Sequence, residues 1–130
     1  LLNNKESGLK EITTYLLNPS KIGFFLGQKS LLNCARSCEL PFGFGKRTEL
    51  LLQLFYTSLD FEKLGPLIES LKEEVQKWIH FYKEKKKELD DLAFYWEGLI
   101  ARSNMAIELL TEIKSISEKE ESRSLGGRQI

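Results

Sequence analysis

The sequence predicts an all-α protein, an elongated helical bundle in which three short helices pack along one long, heptad-patterned C-terminal helix. Three observations lead there. Apolar residues recur at helical spacing, while the alternation expected of a half-buried strand is nearly absent. Proline and glycine gather in the first half of the chain, where they punctuate short segments. From Ile68 onward a seven-residue register holds for seven heptads with two breaks, Lys85 and Ser103.

The first helix is read from Leu9, Ile12 and Leu16, spaced i, i+3 and i+7 on one stripe. Asn18 and Pro19 end it, because a residue before proline is pushed out of the helical region. Ser20 is placed as the N-cap of a second helix whose face holds Ile22, Phe25, Leu26, Leu32, Ala35 and Cys38. Gly23 and Gly27 lie one turn apart in it and would let another backbone approach closely. Pro41, Gly43 and Gly45 interrupt the chain, and Thr48 caps a third helix that is apolar almost all round and so is expected inside.

From Pro66 to about Glu120 there is no further proline and one glycine, Gly98. Ile68, Val75, Tyr82, Leu89, Trp96, Ser103 and Leu110 mark one seam of the register, with Leu71, Trp78, Lys85, Leu92, Leu99, Ala106 and Ile113 as companions. The count passes through "YKEKKKELDD" without a shift, and those residues other than aspartate are fair helix formers. A continuous helix of some 50 residues, about 75 Å long, is the expectation. The alternative is a four- or five-helix bundle with a hairpin near Asp90, since Asp90 or Asp91 can cap a new helix. Residues 1–120 are read as a single helical domain and residues 121–130 as a disordered tail.

Charge excludes little and suggests nothing global: 19 basic and 19 acidic residues balance, so no overall field favours nucleic acid or a membrane surface. The cluster Lys83, Lys85, Lys86 and Lys87 is offset by Glu84, Glu88, Asp90 and Asp91 at helical spacing, which makes a solvated face rather than a nucleic-acid stripe. Cys34 and Cys38 are four apart and read as buried thiols; without a disulfide framework a reducing, cytoplasmic setting is expected. A zinc site would need further ligands, and the one histidine, His80, is far from both. His80 with Lys83 resembles histidine phosphotransfer bundles in those two residues only, because Glu84 and Lys85 occupy the places of the small residues that follow. The chain starts without methionine and is expected to come from a longer protein.

"PFGFGKRTELLLQLF", residues 41–55, looks at first like a phosphate loop. The G-x-x-x-x-G-K-[ST] pattern fails twice: Leu40 stands at the first glycine's place, and Arg47 separates Lys46 from Thr48. An interhelical loop is the reading. No catalytic motif, metal-ligand set or cofactor-binding motif is found, and no enzymatic activity is expected. The function expected is protein–protein interaction or oligomerisation, with Trp78, Tyr82, Trp96, Phe24 and Phe25 as candidate contact residues. The alternative is a membrane-active or lipid-binding protein using the apolar segment 21–29, "KIGFFLGQK", flanked by Lys21 and Lys29.

Overall fold

The computed structural model describes the backbone of residues 2–43 and 45–128 and the side chains of residues 8–43 and 45–115. Six helices follow in order: α1 (Leu2–Leu16), α2 (Pro19–Ile22), α3 (Gln28–Ser37), α4 (Arg47–Asp60), α5 (Leu64–Glu88) and α6 (Ala93–Arg128). The described residues contain no strand, and the all-α bundle stands.

The continuous helix from Pro66 does not. It breaks at Leu89, whose φ of −124° and ψ of 66° are not helical, and a single 3-10 turn, Asp90–Leu92, leads into α6. α5 and α6 then pack against each other along their length as an antiparallel hairpin. Lys86 Nζ lies 2.9 Å from Glu97, and Lys114 Nζ lies 2.9 Å from Glu69, so the two arms run in one register from the turn to the far end. The Tyr82 and Trp96 rings, two heptads apart in sequence, have centroids 6.0 Å apart. In a straight helix that separation would be about 21 Å.

Two causes explain the break. The last turn of α5 carries Lys85, Lys86 and Lys87, whose charge suits the negative end of a helix dipole. Asp90 and Asp91 sit just ahead of α6, where negative charge suits the positive end. The heptad count nevertheless passes through because each arm turns its apolar seam towards the other, so folding back needs no change of phase. The seam positions at the turn show the difference: Leu89 and Leu92 are exposed, whereas Ile68, Val75, Tyr82, Ala106 and Leu110 are buried.

The second helix is likewise two helices. Asn18, rather than Ser20, caps α2, accepting from the Ser20 amide at 3.2 Å. Gly23 ends it in the left-handed region at φ 77°. The chain then runs extended to Gly27 before α3 begins. This offsets the face: Phe24 is buried and Phe25 points out. α4 starts at Arg47, a residue before the expected Thr48 cap, with the Glu49 carboxylate accepting from the Lys46 amide at 3.4 Å.

The core lies between the hairpin and the first four helices. α3 and α4 pack on α5, α2 packs on α6, and α1 packs on α4 and α2. Leu31, Leu51, Phe55, Leu67 and Ile68 are fully enclosed there. Burying such side chains contributes roughly 1.5–3 kcal/mol each before chain entropy is set against it. Where a disordered tail was expected over residues 121–130, the backbone continues as α6 to Arg128, and residues 129 and 130 lie outside the described residues.

Candidate interaction surface

The sequence-selected aromatics divide between the inside and the outside of the bundle. Trp78, Tyr82 and Trp96 form a ladder across the hairpin, with centroid spacings of 5.9 and 6.0 Å, and Tyr95 continues it edge-on at 5.1 Å. Spacings of that size suit offset or edge-to-face ring pairs. Tyr82 is buried, Trp78 and Trp96 are partly covered, and the Trp96 Nε1 is buried without a hydrogen-bond partner. The ladder therefore joins α5 to α6 more than it faces solvent.

Phe24 and Phe25 belong to a segment that wraps α6. The Tyr82 phenol donates to the Gly23 carbonyl, and the Ser103 hydroxyl lies 3.2 Å from the Ile22 carbonyl. Arg102 Nη1 donates to the Ser20 carbonyl at 2.9 Å. Burial raises the Tyr82 pKa, with Tyr95 adding to the rise and Arg102 opposing it, so the phenol keeps its proton and remains a donor. Gly23 sits so close to α6 that a Cβ there would meet the Leu99 carbonyl oxygen at 2.7 Å. The sequence reading that glycine here permits a close backbone approach is met at Gly23. Ile22, Phe24 and Leu26 are consequently buried, and Phe25 alone of the apolar residues in 21–29 is strongly exposed.

The arginine of the glycine-rich loop also turns inwards. Arg47 Nε donates to the Leu26 carbonyl at 2.9 Å and Nη2 to the Leu17 carbonyl at 3.3 Å, with the guanidinium 4.2 Å from the Phe25 ring centroid. Arg47 is a clasp holding the extended segment to α4, and Glu49 already occupies the N-terminal end of that helix. Arg47 and Glu49 are thus both engaged within the fold.

The thiols and the histidine are placed apart. Cys34 and Cys38 are free and buried. Burial pushes the Cys34 thiol up from 9.0 to about 11, against a smaller opposing effect of a hydrogen bond with Ser70. Cys38 is also raised, again mainly by burial. His80 is exposed and lines an open groove of about 950 Å³ between α5 and α6, on the side away from α2. Lys83, Glu84 and Lys87 form its α5 wall, and Glu97, Ile100, Ala101 and Asn104 its α6 wall. Among the described residues no three His, Cys, Asp or Glu side chains come together as metal ligands.

A further exposed apolar surface was not among the sequence-selected residues. Phe94 is 91% exposed and Met105 57%, and Ala101 between them is exposed too. With Gly98 they fall at i, i+4, i+7 and i+11, a single stripe on the face of α6 turned away from the buried Ser103, Ala106 and Leu110. Leu89, Leu92, Tyr95 and Phe81 add exposed apolar surface around the turn. Only its apolar character was legible: between Glu97 and Glu108 the sole charged residue is Arg102, so this helix carries apolar residues on both faces. Counting a single heptad seam draws the eye to one face and hides the other.

No protein-family model, no curated protein and no solved structure matches this chain.

Proposed function

We propose that this chain is a non-enzymatic protein–protein interaction module, and that it engages its partner through the uncovered face of α6 and the adjoining turn. One observation carries the reading. Five of the nine large hydrophobic side chains exposed among the described residues (Phe81, Leu89, Leu92, Phe94 and Tyr95) fall within a 15-residue stretch around the turn, and Met105 extends the surface along α6. Contiguous apolar surface of several hundred Å² marks interaction sites on soluble proteins. Aromatic and methionine side chains are the types enriched at the buried centres of such interfaces.

The membrane-active alternative through residues 21–29 has less support, because Ile22, Phe24 and Leu26 would have to leave the core.

Photo-crosslinking tests the proposal. With benzoylphenylalanine at Phe94, and a control at the exposed Gln76 on α5, irradiation in an extract of the native host should give discrete protein adducts from position 94 alone. Equal yields from both positions, or none, would refute it.

A further inference from the structure

We propose that the chain exchanges α6 with a second copy: Leu89 straightens, α5, the turn and α6 become one helix, and the α6 of each copy packs on the α5 of the other. The interface is the α5–α6 contact already described, made between chains instead of within one, and the outer face of α6 takes no part in it. At low concentration the chain remains the hairpin. The hinge is the first observation. Among the described residues from Leu64 to Arg128, Leu89 alone lies outside a helix, at φ −124° and ψ 66°. Asp90–Leu92 already form a 3-10 turn, and Ala93 is helical at φ −50° and ψ −45°. Little more than the backbone of one residue therefore separates the hairpin from a straight helix. No glycine or proline stands between Pro66 and Gly98 to forbid the straight form, and the heptad phase carries through the turn unshifted. Exchange of an element between copies is favoured where a short hinge joins segments that can also run straight on.

Symmetry is the second observation. The pairs across the hairpin, Tyr82 with Trp96, Lys86 with Glu97 and Glu69 with Lys114, are all centred on residues 89–92. Two straight helices laid antiparallel about a two-fold axis at that point remake each pair between copies. The hydrogen bonds of Arg102 and Ser103 to the Ser20 and Ile22 carbonyls are remade in the same way, with the α6 of the other copy. At the axis Leu89 of one copy meets Leu92 of the other. In the hairpin these leucines are 45% and 50% exposed, although both stand on the seam that Ile68, Val75, Tyr82, Ala106 and Leu110 bury. Exchange thus covers two apolar side chains per copy that the hairpin leaves in water. No residue of the turn Asp90–Leu92 is buried, and the last buried residue of α5 is Tyr82. The Gly23 carbonyl meets the hairpin at Tyr82, about 12 Å along the helix from the axis, so the first four helices of the two copies sit on opposite halves of the rod.

Refolding the full chain at low and at high concentration, followed by size exclusion with light scattering, tests this. Parting α5 from α6 exposes Val75, Ile79 and Leu110, so monomer and dimer should interconvert slowly and elute as separate peaks. In the double variant Glu69→Cys with Lys114→Cys, a short bismaleimide should join the two cysteines within one chain in the monomer peak and between two chains in the dimer peak. A denaturing gel reads the difference as single or double mass, Cys34 and Cys38 being buried. Asp90→Pro suits the hairpin, where residue 90 opens the 3-10 turn, and breaks a straight helix. It should weaken the dimer at least about 100-fold while the monomer keeps its helical content. Asp90→Ala with Asp91→Ala removes the charges that favour a helix start there and should strengthen the dimer about 10-fold. A chain that stays monomeric after refolding at high concentration overturns the proposal. So does a dimer linked only within each chain, or one that both sets of Asp90 variants leave unchanged. The partner surface stands or falls separately, on the crosslinks from position 94.

Discussion

Replacing Gly23 by alanine tests how tightly the segment after α2 is pressed against α6. The residue has φ 77°, a conformation costing roughly 1–2 kcal/mol for any residue with a Cβ. The added Cβ would also lie 2.7 Å from the Leu99 carbonyl oxygen and 3.2 Å from the Arg102 Cβ. The first neighbour is helix backbone and cannot rotate away. Forcing the segment outwards by about half an ångström adds a further overpacking cost of about 1–3 kcal/mol. It also strains the Tyr82 hydrogen bond to the Gly23 carbonyl. The expected loss is about 2–5 kcal/mol, read as a lower urea midpoint at unchanged slope. Gly8→Ala is the matched control: it lies within α1 with nothing inside 4 Å of its added Cβ, so it should stabilise by about 1 kcal/mol. Equal effects of the two substitutions, or a neutral Gly23→Ala, would refute the close contact between this segment and α6.

Other substitutions probe the remaining contacts. Tyr82→Phe removes the donor from the buried Gly23 carbonyl and should cost about 1–3 kcal/mol in urea unfolding, with the helical circular dichroism retained. Thr13→Val replaces a buried hydroxyl that has no hydrogen-bond partner, and a gain of about 1 kcal/mol is expected by the same measurement. Because burial raises the Cys34 thiol from 9.0 to about 11, its contribution is fully present below pH 9 and is lost as pH rises towards 11. At about 1.4 kcal/mol per unit, wild type should lose roughly 2–3 kcal/mol across that window relative to Cys34→Ala, measured as the difference in urea stability. Phe94→Ser, at a side chain almost wholly in solvent, should change stability by less than about 0.5 kcal/mol while abolishing association.

The class of the fold was legible because helical periodicity is a local property. Leu16, Leu51, Ile68 and Val75 lie inside as their spacing indicates. The reversal at Leu89 was harder to see, because the segment holds no glycine or proline and both arms keep one phase. Its trace is electrostatic: three lysines ending one helix and two aspartates opening the next, a pattern that a hydrophobic count ignores. The two-residue swap between Phe24 and Phe25 depends on the left-handed turn at Gly23, and glycine tolerates a helix as well as a turn, so its identity alone does not choose. Trp78 and Tyr82 were selected as aromatic and heptad-placed, which describes a hairpin seam as well as a docking face. The outer stripe of α6 needed the structure, because only the position of α5 tells which of its two apolar faces stays open.

That open face exists only if α6 folds back along α5. Electron–electron distance measurement between spin labels at the exposed Glu73 and Thr111, in protein diluted with unlabelled chain, tests this directly. The hairpin predicts about 20 Å, two adjacent helix axes 8–10 Å apart plus the label arms. A distance near 57 Å, the rise of 38 helical residues, would mean one unbroken helix and would contradict the hairpin and the surface built on it.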